Sequence, residues 1–422
     1  MHDGDSADER ARIPSPGPTG DAAAQPGWVQ RLLIYLTVAV LSAVAGMGAT
    51  LVVQHAGAAG PDATQTPRDA AADRPGTLDD EAVYDAVEPG VVDVTASMPY
   101  LQETAKGTGF VIDTAAGLVL TNNHVIDGAT SVTVTLVTSG ASYPARILGY
   151  DLTDDIALLQ LRGVPGLRAV TVGDSSRVRV GTQVLAIGNE AGQGGSPTVA
   201  PGVISSLDRT IVASDQTSGL TETLHGMMQT SADIRPGDSG GPLADAAGQV
   251  IGIDTAAGGG TVYSGYVIPI NQALPIARQI AAGRPGARVQ IGLPAFLGVL
   301  VPTSTSADPV SQARQELRQT GAVSGSGRAC TNGDTTATPA SIAPGRSGAL
   351  VDGVLCGTPA AAAGVCAGDV ITSIGGRAVT TPASLNAIVG GYRPGGTAVL
   401  AWVSPGGGRH TAVVRLGAGP AG

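Results

Sequence analysis

Short apolar runs separated by turn residues dominate the chain between residues 81 and 288. They are rich in Val, Ile, Leu and Thr, which favour β-strands. The runs cover residues 91–96, 107–112, 118–121, 131–138, 156–161, 183–187, 199–206, 226–230, 249–255 and 265–268. Many short strands without long helices between them predict an all-β barrel or sandwich pair. One helix, over residues 271–281 with Asn271 as its N-cap, is predicted to close the region.

An uncharged apolar run over residues 32–53 precedes the strands. As a helix, its length of about 33 Å would be enough for the roughly 30 Å hydrocarbon core of a membrane. Trp28 and Arg31 fit an interfacial anchor on the entry side. The alternative is a signal peptide cleaved near residues 56–58, but its apolar core would be unusually long. The pattern favours an uncleaved transmembrane helix.

The segments on either side of this run complete the prediction for the N-terminal part. Residues 1–31 lack periodicity and are rich in charge, Pro and Gly, which predicts a disordered cytoplasmic tail. Residues 54–80 are rich in Ala, Gly, Pro, Thr and Asp and are typical of a linker. The weak charge bias leans towards the tail inside and the remaining domains outside. We therefore expect a single-pass cell-membrane protein with extracytoplasmic folded domains.

Composition narrows the class of protein. The 422 residues leave room for two or three domains, and 43% hydrophobic against 14% charged residues suits buried cores better than disorder. The net charge of −10 argues against a nucleic-acid partner, which would call for a basic patch. The three cysteines lack metal-type spacing, so neither a metal nor another cofactor is predicted.

A glycine-walled serine, Ser239, is the first candidate for chemistry. It lies in the sequence Gly-Asp-Ser-Gly-Gly-Pro-Leu of residues 237–243. The bare backbone lets a carbonyl group approach the Ser239 hydroxyl, and the amides of Gly237 and Ser239 can turn inward together. A serine hydroxyl is a poor nucleophile until a histidine takes its proton and an acid orients that histidine. A plain surface turn explains these residues equally well unless both partners exist.

Histidines are few, which limits the choice of base. Of the five, His124 and His225 lie within the strand-rich region. His124 follows a predicted strand directly and can be presented at a barrel rim, whereas His225 has the surroundings of a structural residue.

Several carboxylates precede the apolar run at 156–161 and offer the acid. Asp155 is best placed to be half-buried and to face an imidazole. Asp151 and Asp154 are more typical of turn caps.

The order His124, Asp155, Ser239, with its flanking residues, resembles the chymotrypsin-like serine proteases and, more closely, their HtrA (DegP-like) branch. The matching pieces follow the family's order over residues 85–282. They are Gly107-Thr-Gly-Phe-Val-Ile, Thr121-Asn-Asn-His-Val, Asp155-Ile-Ala-Leu, Ile187-Gly-Asn, Gly202-Val-Ile-Ser-Ser, Gln229-Thr, Gly237-Asp-Ser-Gly-Gly-Pro-Leu, Gly252-Ile-Asp-Thr and Gly265-Tyr-Val-Ile-Pro. The resemblance implies two perpendicular six-stranded β-barrels with the active site in the cleft between them.

The resemblance also implies a role for each residue. Ser239 would be the nucleophile, His124 the general base and then acid, and Asp155 the group that fixes the histidine tautomer. Thr255 would begin the segment that pairs with substrate backbone and would support Asp155. The oxyanion hole would lie at Gly237, Asp238 and Ser239, and the substrate pocket at Asp233, Ile234, Thr255, Ala256 and Ala257.

Two residues depart from the HtrA pattern. Asp238 replaces the usual asparagine, and Arg235 is the candidate cation to pair with it. Asp233 stands where trypsin-like enzymes place the acid that selects Lys or Arg. The two interpretations are a pocket with a preference for basic side chains and a loop carboxylate that faces solvent or pairs with Arg235.

After residue 288 the pattern changes and resembles the PDZ domain that HtrA proteases carry. The loop at residues 296–299 would bind a peptide's terminal carboxylate, and an adjacent strand would take the peptide by β-addition. Thr381 as N-cap and Pro382 at the first position would start the groove helix. The residues assigned to this groove are Phe296, Leu297, Gly298, Val299 and Leu385, although a plain core position is the commoner case for a leucine such as Leu385.

Residues 303–346 are rich in Ser, Thr, Ala, Gly and Pro, which predicts a flexible insertion in this second domain. Cys356 and Cys366 flank a short helix and could form a disulfide, but Cys330 could pair with either. The domain organisation predicted is a tail at 1–31, a transmembrane helix at 32–53, a linker at 54–80, a protease domain at 81–288 and a PDZ domain at 289–420.

Two classes of function compete at this point. One is a membrane-anchored endopeptidase that cleaves exported or misfolded proteins and binds C-terminal peptides at its PDZ groove, either broadly or on one signalling substrate. The other is a catalytically silent PDZ scaffold. The intact His124, Asp155 and Ser239 favour the enzyme. The family often trimerises, so a homotrimer is compatible with the resemblance.

Overall fold

The computed structural model describes residues 78–100, 102–214, 221–257, 264–301, 330, 341–345 and 347–421. All of them belong to one compact unit, Asp73–Gly422. Within these ranges no helix combines the length and the apolar character that a membrane crossing requires. The predicted transmembrane helix at 32–53 lies outside the described residues.

A short helix, α1 (Asp80–Val87), opens the ordered part. The Asp79 side chain caps it by accepting a hydrogen bond from the Ala82 amide at 3.1 Å. Its apolar face, Val83 and Val87, is buried in the main core. The packing of these two valines therefore attaches α1 to the folded domain.

Six strands close into a first barrel. They are β1 (Val91–Met98), β2 (Glu103–Asp113), β3 (Leu118–Thr121), β4 (Ser131–Leu136), β5 (Ser142–Asp151) and β6 (Ile156–Gln160). The antiparallel order is β5-β4-β1-β2-β3-β6, and β5 also pairs with β6, which closes the sheet. His124 follows β3 directly, and Asp155 immediately precedes β6. Because β3 and β6 are neighbours, the fold brings these two residues together.

A second barrel follows the same plan. Its strands are β7 (Thr171–Val172), β8 (Gln183–Gly188), β9 (Thr198–Ser214), β10 (Thr221–Thr230), β11 (Pro242–Asp245), β12 (Gln249–Ala257) and β13 (Ser264–Pro269). Strands β11-β8-β9-β10-β13-β12 form the closed path, since β11 also pairs with β12, and β7 adds to β12 in parallel. Ser239 precedes β11, at the edge where this barrel closes. Both barrels therefore have the six-stranded closure that the family resemblance implies.

One continuous core joins the two barrels. It contains Phe110 and Ile156 from the first barrel and Ile187 and Ile253 from the second, all without exposed surface. Ile280 of helix α2 (Ile270–Ala281) belongs to the same core. Close packing of this kind resists relative movement, so the loops at the junction stand on a rigid base.

The helix α2 begins one residue earlier than predicted, and its N-cap is Pro269 rather than Asn271. The Asn271 side chain instead donates to Asp174 Oδ1 at 2.8 Å. The sequence pattern also missed β5 and β11. Pro144 and Gly149 in β5 look like turn residues, but pairing with β4 and β6 overrides that local preference.

The C-terminal region folds around a separate core. Its elements are β14 (Val289–Ile291), β15 (Ala295–Phe296), β16 (Val299–Leu300), β17 (Ala349–Leu350), β18 (Gly353–Val354), α3 (Pro359–Ala363), β19 (Val370–Ile374), β20 (Arg377–Ala378), α4 (Pro382–Gly390), β21 (Thr397–Val403), β22 (Arg409–Arg415) and β23 (Gly417–Ala418). Strands β17-β19-β21-β22 form its main sheet, while β14 adds to β5 of the first barrel. A capping box of Thr381 and Ser384 starts α4, as the sequence predicts for Thr381.

A disulfide joins Cys330 to Cys356. This is one of the pairings that the sequence left open, and it excludes the Cys356–Cys366 alternative. Cys356 follows β18 closely, so the bond attaches residue 330 beside the loop at 296–299, whose Gly298 carbonyl accepts a hydrogen bond from the Leu355 amide.

Candidate active site

The imidazole of His124 and the carboxylate of Asp155 form a closely bonded pair. His124 Nδ1 lies 2.8 Å from Asp155 Oδ2, and the His124 backbone amide donates to Asp155 Oδ1 at 2.9 Å. The carboxylate is 1% exposed, whereas the imidazole is part-exposed. A carboxylate accepting at Nδ1 places the ring proton there and leaves the lone pair on Nε2. This is the tautomer that can accept a proton from a hydroxyl.

A second layer of hydrogen bonds holds Asp155 in an unusual backbone conformation. Its φ of 52° lies in the left-handed region. Its carbonyl oxygen accepts from the Asn122 side-chain amide at 2.9 Å and from the Asn123 amide at 3.2 Å. The Thr255 hydroxyl reaches Asn122 Oδ1 at 3.4 Å. Thr255 therefore contacts Asp155 through Asn122, a positioning residue that sequence reasoning did not single out although it stands two residues before the histidine.

The loop that carries Ser239 is fastened to the first barrel. The Ser239 carbonyl oxygen accepts from the Thr108 amide of β2 at 2.9 Å. A Cβ at Gly107 would lie 2.8 Å from Val125 and 3.1 Å from the same carbonyl oxygen. Gly240, with φ of 86°, packs against Thr108 and Thr121 so closely that no side chain fits. Ser239 thus sits against β2 and the end of β3, the strand that leads to His124.

The turn at Gly237 sets the direction of the amides in this loop. Gly237 has φ of 102°, which favours glycine, and its carbonyl oxygen accepts from the Thr108 hydroxyl at 2.8 Å. The Asp238 amide donates to the Arg235 carbonyl at 2.9 Å. Asp238, which the sequence grouped with the oxyanion hole, therefore uses its amide inside the loop. The amides of Gly237 and Ser239 are the remaining candidates.

Three charged side chains form an exposed ion-pair cluster beside the loop. Arg235 bonds Asp233 Oδ2 through Nε at 2.9 Å and Nη2 at 2.6 Å, and Glu190 Oε1 through Nη1 at 2.6 Å. These carboxylates raise the pKa of the Arg235 guanidinium, with the hydrogen bonds that it donates to Asp233 as the largest cause. The guanidinium therefore forms its ion pairs with Asp233 and Glu190. The prediction that it pairs with the Asp238 carboxylate is wrong. Only its backbone amide reaches Asp238, at 2.9 Å from Oδ2.

The residues predicted to form the substrate pocket fall into two groups, one in the core and one at an open strand edge. Ile234 has no exposed surface and packs in the core of the second barrel, so its side chain does not form a pocket wall as expected. Thr255, Ala256 and Ala257 end β12 and pair on one side with β13. On their other side no strand pairs with them in the described residues, because β7 and β11 pair only with residues 249–253 of β12. This open edge can accept an extended peptide.

A pair of buried aspartates lies beneath the nucleophile loop. Asp238 is 6% exposed, and burial raises its pKa to about 6. Asp254 of β12 has no exposed surface, and burial raises its pKa well above its usual value, with the charge of Asp238 adding to the effect. Asp254 was not singled out from the sequence, because its proximity to Asp238 is created by the closure of the second barrel.

At the predicted peptide groove of the C-terminal region, Gly298 has φ of 84° and packs on Thr358. The Leu297 and Gly298 carbonyls accept from the Ala360 and Leu355 amides at 2.9 and 3.0 Å. Phe296 and Val299 are part-exposed, whereas Leu297 and Leu385 are core residues, 3% and 1% exposed. The Phe296 ring lies 5.3 Å from the ring of Tyr100 in the first barrel.

Two closed six-stranded barrels with a His–Asp pair and a buried serine loop at their junction define the trypsin-like class of fold. Comparisons with known proteins agree. A model described as a trypsin-like peptidase domain matches residues 107–253, and a PDZ domain model matches residues 350–390.

Relatives with printed names extend the match beyond single domains. Serine protease PepD of Mycobacterium tuberculosis is 31% identical over 408 residues, which cover 90% of this chain and 76% of the relative. The periplasmic pH-dependent serine endoprotease DegQ of Escherichia coli is 34% identical over 68% of this chain and 54% of its own. The HtrA-type protease AlgW, solved with a tripeptide, is 29% identical, covers 80% of this chain and 96% of its own, and gives a TM-score of 0.42.

On the match with PepD, the chain belongs to the HtrA-type family of trypsin-like serine proteases with a PDZ domain. It spans 54% of the length of DegQ, 64% of the protease HhoA of Synechocystis and 38% of the Do-like protease HtrB of Bacillus subtilis.

Proposed function

We propose that this protein is a serine endopeptidase in which His124, Asp155 and Ser239 act as a catalytic triad. The observation that carries the proposal is the 2.8 Å contact between His124 Nδ1 and Asp155 Oδ2. It orients the imidazole on the strand end against which the Ser239 loop is packed. Membership of the family and the glycine-walled serine support the same chemistry.

In the proposed reaction the Ser239 oxygen attacks the peptide carbonyl carbon while His124 Nε2 takes the hydroxyl proton. The carbonyl oxygen becomes an oxyanion, which the amides of Gly237 and Ser239 stabilise by about 3 to 4 kcal/mol for each well-placed donor. His124 then gives its proton to the leaving amine as the C–N bond breaks. Water, activated by the same histidine, hydrolyses the acyl ester and restores Ser239.

We infer that the substrate lies extended along the open edge of residues 255–257. Backbone pairing at an edge strand needs an unfolded or flexible segment, and this supports exported or misfolded proteins as the substrate class. The Arg235 guanidinium offsets the charge of Asp233, which favours aliphatic over basic side chains at the cut. Matched peptides with Val or Arg at the cut decide this point, since preference for Arg would restore Asp233 as the selecting acid.

The C-terminal region is proposed to bind C-terminal peptides through the loop at 296–299. The left-handed turn at Gly298 and the PDZ model match support this role. The apolar run at 32–53 supports a single-pass anchor in the cell membrane with the protease outside, and the relatives DegQ and DegP are named as periplasmic. A homotrimer rests on the family resemblance alone.

Labelling with a fluorophosphonate probe tests the proposed activity. Wild type should react at Ser239, His124→Ala should react far more slowly, and Ser239→Ala should not react. The exposed variant Asp208→Asn is a matched control that should label like wild type. Absence of wild-type labelling, in the presence of a peptide that occupies the PDZ groove, would favour the silent scaffold instead.

A further inference from the structure

The backbones of Asp238 and Asp254 are hydrogen-bonded to the two glycines that follow Ser239, Asp254 to both of them and Asp238 to the second. The Gly240 amide donates to the Asp254 carbonyl at 2.8 Å, and the Asp254 amide donates to the Gly241 carbonyl at 2.8 Å. The Gly241 amide in turn donates to the Asp238 carbonyl at 2.8 Å. The backbone of each aspartate thus fixes the residues that follow Ser239. Any force between the two side chains acts on this loop.

The surroundings of the two carboxyl groups are poor in positive charge. In the described part of the chain, neither oxygen of Asp254 has a hydrogen-bond partner and no basic side chain pairs with either aspartate. Asp238 has the Arg235 amide at 2.9 Å on Oδ2 and the Thr198 hydroxyl at 3.4 Å on Oδ1.

The charged groups that face Asp238 are few. They are Glu190, which raises its pKa, Arg235, which lowers it, and Asp254. Asp238 is the one charged group that acts on the pKa of Asp254, and the backbone of Ile187 in β8, which lies outside ordinary hydrogen-bond geometry, lowers that pKa as the smallest of the three effects. Burial disfavours the ionised form of a carboxyl group, most strongly at Asp254, which has no hydrogen-bond donor, and two buried carboxyl groups close together cannot both ionise cheaply. The pair therefore retains a proton at pH values where an exposed pair would have lost both.

We propose that Asp238 and Asp254 together retain one proton and act as positioning residues, holding the Ser239 loop in place only while one of them is neutral. Loss of that proton puts two negative charges beneath residues 240 and 241, and their repulsion displaces the loop from β2 and β3. This role rests on the proposed function of Ser239 as the nucleophile. It predicts that loop order and Ser239 reactivity fall together as the pH rises.

Thermal unfolding across the pH range from about 5 to about 9 tests the retained proton without reference to catalysis. A carboxyl group with a raised pKa binds its proton more tightly in the folded state, so the protein loses stability as the pH rises through that pKa. In a Ser239→Ala background, Asp254→Asn should remove at least half of the loss in melting temperature between the two ends of the range. Asp208→Asn, an exposed carboxyl with a left-handed backbone that asparagine tolerates, should leave the loss unchanged.

Labelling by the fluorophosphonate tests the consequence for the site. In wild type the rate should rise as His124 loses its proton and fall again at higher pH, whereas in Asp254→Asn the high-pH fall should move upward by about one pH unit or more. Should Asp254→Asn fail to fold, Asp238→Asn removes the same repulsion and should show the same upward movement.

Unfolding curves and labelling profiles of Asp254→Asn or Asp238→Asn that match wild type at every pH would overturn the proposal. A wild type that never labels contradicts the proposed function, but the unfolding measurement still decides whether the two aspartates retain a proton.

Discussion

Asp155 on the first barrel and Asp254 on the second are equally buried aspartates, 1% and 0% exposed, with opposite surroundings. Both oxygens of Asp155 accept hydrogen bonds from His124, one from the ring and one from the backbone. Neither oxygen of Asp254 has a partner among the residues that the structure describes. Donors compensate a buried charge, and without them the carboxyl group keeps its proton instead. The same residue type thus orients a base in one barrel and, we infer, acts as a neutral support in the other.

The strongest test of the Asp155 side is Asp155→Asn. Asparagine keeps the shape of the carboxylate but has only one acceptor oxygen, so its NH2 group faces either the His124 backbone amide or Nδ1. The negative charge that stabilises the imidazolium is also lost, so kcat should fall about 10⁴-fold. Peptide hydrolysis at neutral pH measures it, with near-ultraviolet circular dichroism as the check on folding. A loss smaller than about tenfold in a folded variant would show that Asp155 does not set the histidine tautomer.

The attachment between the barrels is tested by Gly240→Ala. A methyl group there meets Thr108 and Thr121 and also strains a left-handed residue, so the Ser239 loop must shift. A displacement of about 1 Å is enough to reduce the rate about 100-fold. Gly181→Ala, at a left-handed glycine with open space around it, carries the same backbone strain and should lose stability while keeping Ser239 reactivity. Equal losses of labelling rate in both variants would contradict the packing argument.

The raised pKa of Asp238 predicts that the difference in unfolding free energy between Asp238→Asn and wild type changes with pH. Burial raises the Asp238 pKa from its usual value to about 6, so its protonation stabilises the folded state at low pH. That stability is lost as the pH rises towards about 6, by about 2 to 3 kcal/mol in total. The free energy of unfolding of Asp238→Asn should therefore gain on that of wild type between about pH 4.5 and about pH 7.5. Urea unfolding in a Ser239→Ala background measures it, and a difference that stays constant with pH would contradict the raised pKa of the buried Asp238 carboxyl.

A smaller effect is expected from Asn122→Ala. The variant loses the hydrogen bond to the Asp155 carbonyl and the longer contact to Thr255. Because the first of these is the stronger, the loss is worth about one hydrogen bond, and kcat/KM should fall about tenfold. Asn122→Asp keeps the acceptor for Thr255 but not the donor to Asp155. If the alanine and aspartate variants both retain full activity, the hydrogen bonds that Asn122 makes to Asp155 and Thr255 do not contribute to catalysis.

The residues of the Asp155 side could be anticipated from the sequence because their flanking motifs are local. Asp155 stands just before the apolar run of β6, and His124 just after β3, so each follows from the strand next to it. The pairing of Asp233 with Arg235 was also open to local reasoning, since the two residues are near neighbours.

The residues of the Asp254 side could not be anticipated in the same way. Asp254 reaches Asp238 only because β11 pairs with β12 and folds the nucleophile loop back over it. Local patterns also missed β11 because of this nonlocal pairing, and its first two residues, Pro242 and Leu243, belong to the serine motif. A local sequence pattern can predict that a segment forms a strand. Which residues its buried side chains contact depends on how the barrel closes, and the local pattern does not contain that information.

The proposed active site requires that Ser239, on the second barrel, lies next to His124, on the first. A crystal structure of the phosphonylated protein would show it. We expect the phosphorus bonded to the Ser239 oxygen, with its anionic oxygen about 3 Å from the amides of Gly237 and Ser239 and with His124 Nε2 facing the same group. An imidazole turned to another face of the protein, or a probe bonded to a different residue, would contradict the account.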